Sequence, residues 1–78
     1  MIYIEEQPLG CTIQKYRRMK NLTRKNLADR MGISYTTIKR WENEESTPDL
    51  RMFGRLCLAL EISPHTFLDD IFPEKTWE

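Results

Sequence analysis

The chain has few of the residues that mark several common protein classes. Of its 78 residues, two are cysteines and one is a histidine. Cys11 and Cys57 lack the spacing of metal ligands, and such a pair is typical of free thiols in a reducing cytoplasm. No apolar run approaches the ~20 residues of a membrane span. The N-terminal stretch MIYIEEQPLG lacks the basic start and the long apolar run of a signal peptide.

Catalytic groups are equally scarce. The single histidine, His65, falls just inside a helical pattern, and no cysteine, serine or carboxylate pair forms a plausible site around it. We therefore expect no enzyme activity, no cofactor and no metal site. At this length the chain forms one domain around one small core.

Net charge is zero, but the charges are strongly segregated along the chain. Residues 12–40 carry +8, from one acid, Asp29, and nine basic side chains: Lys15, Arg17, Arg18, Lys20, Arg24, Lys25, Arg30, Lys39 and Arg40. Residues 41–78 carry −6. A basic block of this kind indicates a local surface for phosphates, which whole-chain neutrality hides.

The chain is organised around residues 24–41, RKNLADRMGISYTTIKRW. Two short amphipathic patterns flank Gly32, which can take the positive φ of a tight turn between helices. Ala28 is small enough for a second helix to pack closely across the first. The apolar residues point inward from both arms: Leu27, Met31, Ile33, Ile38 and Trp41. This geometry predicts a helix-turn-helix.

Capping residues and periodicity predict five helices. The first helix is expected at about 12–20, and the second at about 24–31 after the N-cap Thr23. The third runs from the N-cap Ser34 to Glu42 or Asn43. The fourth starts with the N-cap Thr47 and Pro48, and a short fifth helix runs from Ser63-Pro64 to Phe72-Pro73. Residues 1–11 are then an N-terminal arm and 73–78 a C-terminal tail. Gly54, inside the fourth helix, predicts a close helix contact there.

Four segments of the chain resemble the Cro/CI-type helix-turn-helix of phage repressors, also called the Xre family. The segments are IQKYRRMKNLT, TRKNLADRMGIS, IKRWENEESTP and LCLALEISPHTFL, and the resemblance covers about residues 9–72. It implies an all-α fold, a compact five-helix lambda-repressor-like DNA-binding domain at 12–72. Its helix 3 (about 34–43) is expected to enter the major groove of DNA.

The resemblance also implies roles for individual residues. Base reading falls on the outward positions of helix 3, which periodicity also selects: Tyr35, Thr36, Lys39 and Arg40. DNA-backbone contacts fall on Thr23, Arg24 and Asn43, and a structural salt bridge joins Arg17 to Glu42. The family usually has glycine where Glu44 and Glu61 stand, so those positions need a left-handed non-glycine residue or a different cap. Glu44 and Glu45 also place negative charge near the expected phosphates.

The sequence therefore predicts a cytoplasmic, sequence-specific double-stranded DNA-binding transcriptional regulator, a repressor or an autoregulator. Useful specificity calls for a homodimer on a palindromic operator. Candidate dimer surfaces are Ile2-Tyr3-Ile4, the fifth helix with Phe67, Ile71 and Phe72, and Trp77. One alternative stays open: an antitoxin-like or other protein-interaction module whose acidic half binds a basic partner, with DNA binding secondary.

Overall fold

The computed structural model describes residues 6–73, which form five α-helices and no strand. The helices are α1 (Leu9–Met19), α2 (Arg24–Met31), α3 (Tyr35–Glu42), α4 (Leu50–Leu60) and α5 (Pro64–Ile71). The expected compact all-α, five-helix fold is confirmed. None of the helices in this range is long and apolar enough to cross a membrane. The predicted surfaces at Ile2-Tyr3-Ile4 and Trp77 lie outside the described residues.

The corner between α2 and α3 has the local geometry that the sequence predicts. Thr23 caps α2 in a reciprocal capping box, in which its side chain accepts from the Asn26 N–H and the Asn26 side chain accepts from the Thr23 N–H. Gly32 ends α2 in the left-handed conformation at φ 69°. Ser34 then accepts from the Thr37 N–H and starts α3. The predicted boundaries of both helices are confirmed.

The start of α1 differs from the prediction. The helix begins at Leu9 with Pro8 as N-cap, so residues 9–11 belong to the helix and not to the arm. Gly10 lies against α3, where an added Cβ would stand 2.8 Å from the carbonyl carbon of Glu42. The Gly10 N–H donates to the Glu44 carboxylate at 2.6 Å. Gly10 is therefore a close-packing position inside the helix, not a helix breaker.

The start of α4 is also displaced from the predicted position. Asp49, not Thr47, is the N-cap, and its carboxylate accepts from the Met52 N–H at 2.8 Å. Pro48 precedes the cap and so is not the first helical residue. Asp is at least as good an N-cap as Thr, and the Pro48 ring is compatible with the extended backbone before the helix.

The three positive-φ non-glycine residues of this part of the chain all follow a helix. Glu44 (φ 61°) and Glu61 (φ 56°) stand at the two positions where the resemblance implies glycine, and Asn21 (φ 57°) follows α1. The left-handed alternative expected for Glu44 and Glu61 is confirmed. Glu44 adopts this strained backbone conformation, and its carboxylate accepts a hydrogen bond from the Gly10 N–H.

All five helices contribute to one core. Its buried apolar side chains are Ile13, Leu27, Ala28, Met31, Ile38, Trp41, Leu56, Cys57, Leu60, Phe67 and Ile71. Phe67 is fully buried and packs edge-on against Phe53, with ring centroids 5.2 Å apart. Phe67 and Ile71 are therefore core residues, and Phe67 has no exposed surface to offer to a second copy. Met19, at the end of α1, is 65% exposed.

Gly54 does not make the close helix contact that the sequence predicted. A Cβ added there would meet no atom within 4 Å, so open space lies above it. Glycine in a helix interior destabilises the helix because the unfolded chain has more backbone freedom to lose. Nothing in the packing of the described residues compensates for this cost.

A polar cluster joins α1 to α5. The Asp70 carboxylate accepts from the Tyr16 hydroxyl and from Lys15 Nζ, the latter at 2.9 Å. Burial, followed by the hydrogen bond to Asp70, raises the pKa of Tyr16 from 10.0 to about 12. The hydrogen bond from Tyr16, followed by that from Lys15, lowers the pKa of Asp70. The cluster therefore keeps Asp70 ionised and connects α5 to α1.

We expect Gly54→Ala and Gly10→Ala to change stability in opposite directions. Alanine at Gly54 meets open space and should raise the free energy of unfolding by about 1 kcal/mol. Alanine at Gly10 collides with the Glu42 carbonyl and should lower it by about 1–3 kcal/mol. Urea titration followed by circular dichroism measures both changes. A destabilised Gly54→Ala variant would show that α4 has a packing constraint at this position.

Asp70→Asn should lower stability by about 1 kcal/mol at neutral pH, where it removes charge-assisted hydrogen bonds. The folded pKa of Asp70 lies below its unfolded value, so this contribution is complete above about pH 4 and is lost as pH falls through the folded pKa. The gap between wild type and variant should therefore shrink in acid. Urea unfolding at neutral pH and near pH 3 tests this, and an unchanged gap would contradict it.

Candidate nucleic-acid interface

The outer face of α3 is exposed and polar because its inner face is fully committed to the core. Ile38 and Trp41 are buried, at 0% and 3% exposure, and α3 packs against both α1 and α2. The four positions predicted to read bases are all exposed: Tyr35, Thr36, Lys39 and Arg40. They share one solvent face, which carries a guanidinium, an ammonium, a hydroxyl with a methyl group, and an aromatic ring.

Arg17 and Glu42 are in direct contact between α1 and the end of α3. Arg17 Nε donates to Glu42 Oε2 at 2.7 Å, and a terminal guanidinium nitrogen donates to Oε1 at 3.1 Å. The pair is nearly inaccessible, since the side chains are 9% and 1% exposed. Arg17 also donates to the Leu22 carbonyl at 2.9 Å, which holds the turn after α1. The two side chains named from the sequence are thus placed together.

A second guanidinium binds the same carboxylate, which sequence reasoning missed. Arg24 Nε donates to Glu42 Oε1 at 3.0 Å, and its side chain is 26% exposed. Glu42 therefore connects the last turn of α1, through Arg17, to the first turn of α2, through Arg24. The available signal was a second basic residue, Arg24, at the start of a helix that packs against α3, on a chain that also has Glu42.

Tyr35 belongs to the same group of side chains. Hydrogen bonds to Glu42, and then to Tyr35, raise the pKa of Arg24. Tyr35 and Glu42 lie seven residues apart, two helical turns, on one side of α3. Arg24 is thus close to side chains of both the first and the last turn of α3, and Tyr35 remains 47% exposed.

The start of α2 offers N–H groups to an anion. The capping box uses the N–H groups of Thr23 and Asn26. The first N–H groups of an α-helix have no intrahelical acceptor, so those of Arg24 and Lys25 face outward at the positive end of the helix dipole. The exposed Thr23 places this end of the helix at the surface.

At the C-terminal end of α3, the carboxylate of Glu44 does not take the position that the sequence predicted. Asn43 is the C-cap of α3 and is exposed. Glu44, which was expected to add negative charge near the phosphates, turns its carboxylate to the Gly10 N–H at the start of α1. Its charge is therefore directed at a helix N-terminus, where the dipole favours it.

Together these contacts form a basic surface on a rigid frame. Lys25, Lys39 and Arg40 are exposed, and Arg24 presents part of its guanidinium beside them. Within residues 6–73, no group of three or more His, Cys, Asp or Glu side chains could hold a metal ion. The arrangement can bind phosphates electrostatically and present hydrogen-bond donors to a groove.

Residues 13–67 match the family model described as helix-turn-helix, which covers most of the chain. The chain belongs to this helix-turn-helix family. The matched region runs from the core residue Ile13 of α1 to Phe67 of α5, so it contains the whole exposed face of α3.

Known proteins of similar sequence and structure include transcriptional regulators. The chain is 27% identical over 63 residues to the HTH-type transcriptional regulator SinR of Bacillus subtilis (strain 168), which covers 80% of this chain. It spans only 57% of the length of that curated relative. A crystal structure of SinR in complex with DNA matches with a TM-score of 0.72 and 27% identity, over 78% of this chain and 98% of that one.

A phage repressor gives a similar match. The DNA-binding domain of the P22 c2 repressor, determined by nuclear magnetic resonance in solution, has a TM-score of 0.78 and 28% identity to this chain. The match covers 86% of this chain and 91% of the repressor domain. The lambda-repressor-like fold expected from the resemblance is confirmed.

Glu42 and its two arginine partners should differ in their contribution to the free energy of unfolding. Glu42→Ala leaves Arg17 buried without its carboxylate and should cost about 3–5 kcal/mol. Arg17→Ala should cost nearly as much, although Arg24 still pairs with Glu42. Arg24→Ala removes a partly exposed partner and should cost only about 1 kcal/mol.

Thermal and urea unfolding of the three variants tests this order. Lys25→Ala is a matched control, because it removes an exposed cation from the same helix turn without touching Glu42. Equal stability of wild type and Glu42→Ala would refute the structural role of the carboxylate.

Proposed function

We propose that this protein is a sequence-specific double-stranded DNA-binding transcriptional regulator, a repressor or an autoregulator, acting in the cytoplasm. The observation that carries the proposal is the exposed polar face of α3 on a helix whose opposite face is buried. Such a helix can enter a major groove while the rest of the domain stays outside it. Similarity to SinR and the P22 c2 repressor supports the same assignment.

The exposed side chains of α3 divide the reading of bases. Arg40 is suited to fork onto O6 and N7 of a guanine, and Lys39 to reach a guanine or a phosphate. Thr36 offers its methyl group to a thymine. Tyr35 is exposed at the N-terminal end of the helix, where its ring can contact a base.

Phosphate contacts position the domain and come from the start of α2 and the end of α3. Arg24 keeps Nε on Glu42, and the guanidinium has five N–H donors in all, so its remaining donors can meet a phosphate. The N–H groups behind Thr23 add a second source of binding. Asn43 contributes an amide at the opposite end of α3.

The regulator acts as a homodimer, because one small domain reads too few base pairs for useful specificity. A groove of about 680 Å³ provides a surface for a second copy. Its apolar walls come from the start of α1, the start of α4 and the end of α5, and include Leu9, Leu50, Phe53, Leu68 and Phe72. Leu50 is 85% exposed at its rim, so self-association would remove apolar surface from water.

Selection of bound duplexes from a random pool, followed by affinity measurement at two salt concentrations, tests the function. We expect a palindromic consensus with half-sites about one helical turn apart. The affinity for that consensus should fall steeply with salt as phosphates release their counterions. No enrichment over the unselected pool would reject the proposal.

Arg40→Ala and Arg24→Ala should weaken DNA binding in different ways. Loss of Arg40 should cost about 1–3 kcal/mol at one base position and leave other positions unchanged. Loss of Arg24 should weaken binding to all sequences about equally and reduce the salt slope by about 1. Fluorescence anisotropy with the selected duplex and its single-base variants measures both, and a uniform loss for Arg40→Ala would contradict its base-reading role.

A further inference from the structure

A second exposed face lies on α4, away from the polar face of α3. Arg51, Gly54, Arg55 and Leu58 follow the i, i+3, i+4, i+7 spacing of one side of a helix. We call these four residues the outer α4 face. Leu58 is 79% exposed, and both arginines are exposed. The opposite side of α4 is buried through Leu56, Cys57 and Leu60, so this face has no role in the core.

Gly54 lies at the centre of the outer α4 face and makes it locally flat. An added Cβ would meet no atom within 4 Å, so no neighbour in the described structure requires glycine there. Small residues on a helix surface allow another backbone to approach closely. The glycine, together with Leu58 one turn later, is the arrangement expected where another helix crosses α4.

A groove of about 500 Å³ continues the outer α4 face toward α2. Its walls include Met31, Leu58 and Ala59, and Arg30 and Arg55 flank them. Arg30 donates to the Ala59 carbonyl at 3.1 Å, which connects the end of α2 to α4. An apolar floor between two guanidinium groups is thus already formed.

The charges of this region determine what kind of partner fits it. The ion pairs of the described residues involve neither Arg51 nor Arg55. Glu61 also lines the groove, and its Oε2 lies 3.8 Å from Lys20 Nζ, which offsets part of its charge, so the two arginines determine the sign of this surface. We propose that the outer α4 face and its groove dock an acidic amphipathic helix of another protein.

In that complex, apolar side chains of the partner helix cover Leu58 and enter the groove. The backbone of the partner helix crosses α4 at Gly54. The partner's carboxylates pair with Arg51 and Arg55. A second copy of this chain fits less well. A two-fold contact through the outer α4 face would bring Arg51 and Arg55 of both copies together, and like charges facing each other oppose association.

A synthetic peptide tests the proposal without knowledge of the natural partner. It has about 18 residues, or about five helical turns, with leucines at i, i+3, i+4 and i+7 and glutamates on both sides. Titration into the isotopically labelled protein, followed by amide chemical shifts, should give saturable changes centred on residues 51–59 and 30–31. A lysine-for-glutamate version of the peptide should bind at least about tenfold more weakly.

Two variants separate docking from folding. Gly54→Ala should fold at least as stably as wild type yet bind the peptide at least about fivefold more weakly, because the new methyl group keeps the partner backbone away. Leu58→Ala should keep the unfolding midpoint and lose most of the binding. Met19→Ala is the matched control: it removes another largely exposed apolar side chain, on α1, and should bind normally.

Several outcomes overturn the proposal. They are no saturable binding, shifts centred on the groove beside Leu50, equal binding of the lysine peptide, and unchanged binding of Leu58→Ala. Loss of the homodimer in Leu58→Ala by sedimentation equilibrium would assign the face to a second copy. Binding of phosphatidylglycerol vesicles through Leu58, with no peptide binding, would assign it to a membrane surface. The inference does not depend on DNA binding, which anisotropy measures separately in the same variants.

Discussion

The carboxylate of Glu42 is the contact on which the arrangement of the first three helices depends. It is almost completely removed from solvent and accepts from the guanidinium groups of Arg17 and Arg24. A buried charge is tolerated only when its partners are correctly oriented, so this one carboxylate constrains α1, α2 and α3 together. Its position at the end of α3 sets the direction in which the exposed face of that helix points. A buried ion pair of this kind is better understood as specifying geometry than as a large source of stability.

Local rules predicted the parts of the structure that depend on neighbouring residues. The inward and outward positions of α3, the turn at Gly32 and the caps at Thr23, Ser34 and Ser63 all follow from spacing and side-chain chemistry. The start of α1 did not, because the N–H of Gly10 in its first turn donates to Glu44, 34 residues away in sequence. No local signal shows that a glycine lies under a carbonyl of another helix.

The contact of Arg24 with Glu42 was not predicted, because it too joins residues that are distant in sequence. The contacts of the other acidic residues were missed for the same reason. Sequence shows a basic half and an acidic half, but not which charges are used inside the fold. In the structure, Glu42, Glu61 and Asp70 each contact a cation of the basic half, and Glu44 accepts a hydrogen bond from the Gly10 N–H at the start of α1. The acids therefore hold α1 and its following turn against the rest of the domain. Basic side chains on α2 and α3 remain at the surface, so a neutral chain presents a basic face.

The position of Arg24 links folding to the proposed phosphate contact through conformational entropy. A free arginine side chain loses about 1.5–2 kcal/mol of rotamer entropy when it is fixed by a ligand. Glu42 already holds Arg24 through Nε, so much of that cost is met when the domain folds. The same carboxylate cancels part of the arginine's charge, which weakens its long-range attraction for phosphate. Even so, the guanidinium would meet a phosphate with its orientation already set by the fold.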